Sequence, residues 1–244
     1  MSKTAGIIII GNEILSGKTQ DSNSYFLSTE LRALGVDVQR VSVIPDETQL
    51  IGEEAAAFSR KWDFVFTTGG VGPTHDDVTM AGIAHGFGVK VIHHPDLERR
   101  LHARHGNNIN EARLRLAEVP EGSELISRDS MYAPLVNFRN VYIFPGIPKI
   151  LQNQFHAIKD RFKDDPFYLK VVYVTETEGT IASTLNQLQA SFPKLGLGSY
   201  PVLGDPNFKV KLTLESKDKD YLKQAFDKLL SALPSGAIHR IEEH

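Results

Sequence analysis

Thr67-Thr68-Gly69-Gly70-Val71-Gly72-Pro73-Thr74-His75-Asp76-Asp77-Val78-Thr79 holds three glycines, a proline and two adjacent carboxylates within thirteen residues. The run follows Phe64-Val65-Phe66, which has the composition of a buried strand, and precedes Met80-Ala81-Gly82-Ile83-Ala84, which opens a helix. A glycine-rich turn therefore leaves a strand end, and a carboxylate pair arrives as the next helix begins. Backbone amides without side chains in the way approach a phosphate there, and carboxylates hold a divalent metal against the same phosphate. The pattern points to a phosphate-ester or pyrophosphate site. It is neither a P-loop, which ends in Gly-Lys-Ser/Thr, nor a dinucleotide fingerprint, which needs glycine where His75 stands. A tight turn with Asp76 or Asp77 as helix cap is the plainer account. A cap uses one such side chain, which leaves the second Asp, Pro73-Thr74 and the third glycine unexplained.

Outward from this loop, the chain alternates strand and helix patterns. Residues 5–10 are continuously apolar, as in a parallel strand buried on both faces. Residues 21–34 have helical spacing at Tyr25, Phe26, Leu27, Leu31 and Leu34, with Asp21 or Ser22 as cap and Gly35 as stop. Strand patterns recur at Val36–Ile44, Phe64–Thr68, Val89–Ile92, Leu135–Phe138 and Val141–Phe144. Residues 48–60 form an Ala-rich helix. Residues 95–118 are helical but polar and interrupted at Gly106-Asn107-Asn108, and Pro148 opens a helix running to about Phe162. The rhythm predicts an α/β fold, a mainly parallel sheet with helices on both faces. The polar, proline-ended segment Phe162–Pro166 marks a boundary. Residues 1–165 form the α/β domain, and residues 166–244 a small α+β domain with strands at Leu169–Val174, Leu197–Pro201 and Val210–Leu214 and helices at Thr180–Ala190 and Lys219–Leu233.

Composition narrows the functional classes. A net charge of −3 over 244 residues gives no global pull toward nucleic acid or anionic membrane. The absence of cysteine excludes disulfides, thiolate metal sites and cysteine nucleophiles. The apolar stretch at residues 5–10 is too short to span a bilayer and carries no cleavage pattern behind it. The expectation is a cytoplasmic protein.

Other candidates flank the strands. Gly11-Asn12-Glu13-Ile14-Leu15-Ser16-Gly17 leaves the first strand where ligands bind in open α/β sheets, and equally reads as a polar turn. Asn23 opens the next helix, as a cap or as a ligand contact. Pro45-Asp46 follows the second strand. Asp46, Glu13 and Asp76/Asp77 all leave strands of one sheet and so are expected at one edge. Pro145-Gly146-Ile147-Pro148 is a stiff turn into a helix. His93, His94, His239 and His244 lack metal-site spacing and are read as surface histidines. Lys90, Arg99, Arg100, Arg104, Arg113 and Arg115 are read as a solvated face from which one or two reach a phosphate.

Taken together, Gly11-x-Glu13-Ile14-Leu15-x-Gly17, Asp21-Ser22-Asn23, Thr68-Gly69-Gly70-Val71-Gly72-Pro73-Thr74-x-Asp76-Asp77-x-Thr79 and Pro145-Gly146-Ile147-Pro148 resemble the molybdopterin-binding (MoaB/MogA-like) fold. Within it they resemble the amino-terminal domain of the CinA competence/damage-inducible family. Ser42-Val43-Ile44-Pro45-Asp46-Glu47, Asn140–Gly146 and Gly196-Leu197-Gly198-Ser199-Tyr200-Pro201 are similar to the molybdopterin-binding-like domain of eukaryotic-type FAD synthase. The resemblance implies a three-layer α/β/α domain with a KH-like α+β unit, and a dimer. It also implies metal-dependent hydrolysis of FAD, ADP-ribose or a related dinucleotide. Asp76, Asp77 and Asp46 would be catalytic. Gly69, Gly70, Gly72, Thr74, Asn23 and Gly146 would bind phosphate or nucleotide. Asp76, Asp77, Asp46 and Glu13 would hold Mg²⁺, Mn²⁺ or Co²⁺. Two alternatives stay open: a molybdopterin-binding protein or adenylyltransferase, with molybdopterin as ligand, and a non-catalytic regulatory or assembly module. Asn12 stands where many relatives carry Asp, which removes one carboxylate from the metal's reach. The chain has no room for the synthase's adenylyltransferase domain or for CinA's deamidase domain. The small unit lacks a basic Gly-x-x-Gly loop, so no nucleic acid is expected as partner.

Overall fold

The alternation Ile7, Ile8, Ile9, Ile10 sends successive side chains to opposite faces of a strand, and the first core follows from it. The computed structural model describes residues 2–243; Met1 and His244 lie outside the described residues. The chain divides into two compact units, one running up to Asp164 and the other beginning at Asp165. The first unit opens with β1 (Thr4–Ile10), α1 (Asn12–Leu15), α2 (Asn23–Ala33), β2 (Asp37–Ile44), α3 (Thr48–Lys61), β3 (Phe64–Thr68) and α4 (Thr79–Phe87). It continues with β4 (Val91–His93), α5 (Pro95–His105), α6 (Glu111–Leu114), β5 (Glu118–Pro120), β6 (Glu124–Ile126), β7 (Leu135–Phe138), β8 (Val141–Phe144) and α7 (Pro148–Ile158).

The main sheet has six strands in the order β2-β1-β3-β8-β7-β6. β2, β1, β3 and β8 run parallel, and β7 and β6 are added antiparallel. Ile7 and Ile9 pack with Phe66, Tyr142 and Phe144 beneath Leu27 and Leu31 of α2 and Leu151 and Phe155 of α7. Ile8 and Ile10 pack with Val65, Val141 and Ile143 beneath Ile51, Ala55 and Phe58 of α3 and Ile83 of α4. This is the expected three-layer α/β/α fold. Each such buried side chain contributes about 1.5–3 kcal/mol of transfer free energy.

Two features of this unit position the candidate site. The register pairs Ile10 with Ile44, Ile9 with Thr68 and Thr68 with Phe144, so four parallel strands end side by side. Behind them, α3 and α4 cross on glycines. A Cβ at Gly86 would stand 2.1 Å from the Gly52 carbonyl oxygen, and one at Gly52 would stand 2.6 Å from that of Gly82.

The strand expected at Val89–Ile92 forms as β4 outside the main sheet, where it pairs antiparallel with β5, which the sequence pattern did not reveal. This ribbon clasps the two ends of a helical excursion, residues 94–117, in which α5 and α6 bury no residue.

The second unit contains β9 (Tyr168–Val174), α8 (Glu178–Ser191), β10 (Gly196–Pro201), β11 (Val210–Ser216), α9 (Lys219–Ala232) and β12 (Ile238–Glu243). Its antiparallel sheet runs β10-β11-β9-β12. Val172, Val174, Leu212 and Leu214 pack against Ile181 and Leu188 of α8 and Leu222, Phe226 and Leu229 of α9. This is the small α+β unit, and β12 sharpens its topology from KH-like to the βαββαβ arrangement of ferredoxin-like units.

Candidate functional site

Four connections leave the aligned ends of β1, β2, β3 and β8, and the strand geometry forces them together. Gly69 follows β3 with φ +104°, and a Cβ there would lie 1.9 Å from the Ile10 carbonyl oxygen. Only glycine fits that approach of two backbones. Gly70, with φ +61°, faces Asp46: a Cβ at Gly70 would stand 3.4 Å from Asp46 Oδ1 and 2.4 Å from Thr79 Oγ1. Asp46 in turn accepts the Asn12 amide on Oδ2 at 2.8 Å, tying the exit of β2 to the exit of β1. Thr79, fully buried at the start of α4, donates its amide to the Gly70 carbonyl at 3.0 Å and its hydroxyl to that of Gly69 at 2.8 Å.

Asn23 locks the remaining connection. Thr68 Oγ1 donates to the Pro145 carbonyl at 3.0 Å, so it accepts from Asn23 Nδ2, also at 3.0 Å. Asn23 Nδ2 also donates to the Gly146 carbonyl at 2.8 Å. Both amide hydrogens are spent on the protein, which makes Asn23 a tie between α2, β3 and the turn after β8. Asp21, the residue before the N-cap Ser22, holds the first turn of α2: its Oδ1 accepts the amides of Asn23 and Ser24 and its Oδ2 the Ser24 hydroxyl. Gly146 is exposed, and a Cβ on it would stand 3.5 Å from Gly69 Cα.

The outer half of the glycine loop folds on Asp77. Its Oδ2 accepts the Thr74 amide at 2.8 Å and the Thr74 hydroxyl at 2.5 Å, and it lies 2.5 Å from where a Cβ on Gly72 would stand. Asp76 is exposed, with His75 Nδ1 3.9 Å from its carboxylate. The Thr74 hydroxyl has one hydrogen for two neighbours. It lies within hydrogen-bond distance of Asp77 Oδ2, and when it turns to Asp76 its hydrogen bond is the largest cause holding the Asp76 carboxyl below the usual carboxylate value, ahead of Asp76's own amide. Glu13 is exposed, and its carboxylate turns back on Gly11, 2.5 Å from where a Cβ there would be.

The four carboxylates read from the sequence do not stand as one ligand set. Among the described residues, no three His, Asp or Glu side chains gather around a common metal position. Asp46 and Asp77 nevertheless each keep Oδ1 clear of protein hydrogen bonds while Oδ2 is held by the backbone. A hard divalent ion that takes one or two carboxylates and completes its shell from phosphate and water fits that donor set; an all-protein cage does not.

Arg115 belongs to the site, although sequence reasoning left it among surface cations. It sits on the 3-10 turn Arg115–Ala117 at the end of the excursion. Its guanidinium donates to the carbonyls of Thr74 at 2.6 Å, Asp77 at 3.3 Å and Pro73 at 3.5 Å. A small cleft of about 60 Å³ lies between the glycine loop and this turn, lined by Gly70, Gly72, Asp77, Met80 and Arg115. The side chains of Arg99, Arg100, Arg104 and Arg113 bond instead to Asp96, Ser127, Tyr132 and the Asn108 carbonyl. Among the described residues no helix is long and apolar enough to cross a membrane.

Residues 6–164 match the family described as probable molybdopterin binding domain, and residues 166–242 match the family described as FAD synthase, middle domain. A protein of Archaeoglobus fulgidus is 36% identical over 92% of this chain and 97% of its own length. A probable FAD synthase of Caenorhabditis elegans is 32% identical over 97% of this chain, which spans 51% of that protein. The crystal structure of the protein CinA, of unknown function, from Thermoplasma acidophilum superposes with a TM-score of 0.61 at 30% identity, over 66% of this chain and 100% of that one.

Proposed function

The chain belongs to the molybdopterin-binding domain family, and we propose that it is a metal-dependent pyrophosphatase hydrolysing the diphosphate of FAD, ADP-ribose or a related dinucleotide. One observation carries this reading. A loop with unpaired amides and two carboxylates, each with a free oxygen, sit at one edge of the sheet. A diphosphate presents the complementary chemistry, two anionic phosphates joined by a bond that water must attack in line. Asp46 would hold Mg²⁺, Mn²⁺ or Co²⁺, which would neutralise phosphate charge and make a bound water more acidic. The amides of Gly70, Val71 and Gly72 donate to phosphate oxygens as charge builds on them. Asp77 Oδ1 takes the proton of the attacking water, and its direction is fixed because Oδ2 is bound to Thr74. The water oxygen bonds to phosphorus as the bridging P–O bond breaks, and a nucleoside monophosphate leaves. Asn23 fixes the end of β3 and the Gly146 turn through Nδ2.

The test is direct. Purified protein is incubated with FAD or ADP-ribose, with each metal and with chelator, and the products are separated by chromatography. FMN plus AMP, or ribose phosphate plus AMP, formed only with metal, is the expected result. No product with any of these metals overturns the reading. The family description favours a second reading, in which the loop holds the phosphate of a pterin for binding or adenylylation. Tight molybdopterin binding without diphosphate hydrolysis selects it. Inertness toward both selects a regulatory or assembly module.

A further inference from the structure

The glycine loop has an uneven hydrogen-bond ledger. The amides of Gly70, Val71, Gly72, His75 and Val78 donate to no acceptor among the described residues, whereas those of Thr74, Asp77 and Thr79 are bonded within the loop. Five of the loop's carbonyls are occupied. Those of Gly69 and Gly70 are taken by Thr79, and those of Pro73, Thr74 and Asp77 by Arg115. In the peptide units Gly69–Gly70, Gly70–Val71, Thr74–His75 and Asp77–Val78 the carbonyl is occupied and the amide unpaired, which leaves the positive end of each peptide dipole for a ligand. Arg115 adds a full positive charge, and it pairs with no carboxylate among the described residues. Its planar fork spans the two peptide groups on either side of the Asp77 turn, which a point-charge ammonium does not do.

We propose that Arg115 is the positioning residue of the diphosphate site: by holding the carbonyls of Thr74 and Asp77 it orients the two peptide planes that carry the unpaired amides of His75 and Val78, so that these receive a phosphate anion, and through the Pro73 carbonyl it fixes the turn beside the glycines. The diphosphate part rests on the function proposed above; the loop-orienting part stands by itself. Arg115 belongs to the clasped excursion rather than to the sheet, so the excursion becomes part of the site through this one side chain.

Two readouts separate the parts. Hydrogen exchange is followed in the ligand-free protein at Thr74, Asp77 and Thr79, the loop amides that are bonded. In Arg115→Ala, exchange at Thr74 and Asp77 speeds up by about tenfold or more, the loss expected for one charge-assisted bond, while exchange in β1 and β3 is unchanged. Binding of inorganic pyrophosphate by calorimetry weakens by at least the same factor, and millimolar guanidinium restores part of it. Arg115→Lys keeps the charge without the fork, so its loop amides exchange as in Arg115→Ala and its affinity falls between the two. Unchanged loop exchange in Arg115→Ala overturns the proposal whatever the activity. Arg115→Lys indistinguishable from the unaltered protein in both readouts also overturns it, because charge alone would then suffice. If the unaltered protein neither binds pyrophosphate nor hydrolyses a dinucleotide, yet Arg115→Ala loosens the loop, the hydrolytic reading fails and the positioning role holds.

Discussion

The glycines of the loop and the glycines of the α3–α4 crossing are indispensable for different reasons. Gly69 and Gly70 adopt positive φ, and a side chain on Gly69 would strike the Ile10 carbonyl oxygen at 1.9 Å. Gly52, Gly82 and Gly86 have ordinary helical backbones; only room is at stake, with Gly86 and Gly52 contacting each other's backbone closer than any Cβ allows. The first set shapes the turn that leaves β3, and the second lets two helices touch. Both act on one object. α4 is set against α3 by the crossing, and its first residue, Thr79, hangs from the carbonyls of Gly69 and Gly70. The loop is therefore located at its far end by helix packing and at its near end by the sheet.

The predictions probe this division. The largest effect is expected for Asp77→Asn, which keeps shape and hydrogen bonding but removes charge. Turnover of the proposed substrate falls by about 10²–10⁴-fold, the range for losing a general base, with the melting temperature unchanged. A fully active variant with intact metal dependence removes Asp77 from the chemistry. Gly86→Ala is expected to cost about 2–3 kcal/mol in urea unfolding, because overpacking outweighs the gain in helix propensity. Its remaining folded protein should keep its activity. A stable but inactive Gly86→Ala protein would break the division, placing function in the crossing itself. Gly88→Ala serves as the control: φ is +66° and nothing lies within 4 Å of the new methyl. It isolates the backbone cost, about 1 kcal/mol. The smallest effect belongs to Thr74→Val. The Asp76 carboxyl, lowered in the folded protein mainly by the Thr74 hydroxyl, should titrate at higher pH in an NMR experiment. A lowered folded-state value means that this contact favours folding above the ordinary carboxylate range and is lost as pH falls through the lowered value. The variant should lose that acid sensitivity.

Much of this was legible in the sequence where a single element carried the information. The continuous runs Ile7–Ile10, Phe64–Thr68 and Val141–Phe144 name the central strands because both faces are buried. The glycines of the loop follow from the strand-turn-helix pattern. What escaped depends on distant partners. The ties of Asn23 to Thr68 and Gly146 form only in the fold. Arg115 lies in a charged stretch, and its partners are about forty residues upstream. β5 and β6 have three residues each, too few to show a period. β12 carries a register shift between Ile238 and Arg240 that breaks the alternation of Ile238, Arg240 and Glu242. The i, i+4 spacing of Gly82 and Gly86 was a readable sign of a close helix crossing. Four carboxylates after strands pointed to one edge of the sheet, and strand order fixes where their connections begin. The local turns decide where their side chains point.

The clasp of β4 and β5 has a consequence for how such a chain changes over generations. Val91 pairs with Pro120 and His93 with Glu118, so the excursion leaves and returns at one fixed point. Its turn at Gly106–Asn108 buries nothing. Lengthening a loop whose ends are already pinned costs only about 0.6 kcal/mol per doubling. An inserted segment between Asn107 and Asn108 leaves the strand register and the Arg115 contact as they are. The molecule thus carries a place where new sequence, a labelling tag or a recognition element, is accommodated without renegotiating the sheet.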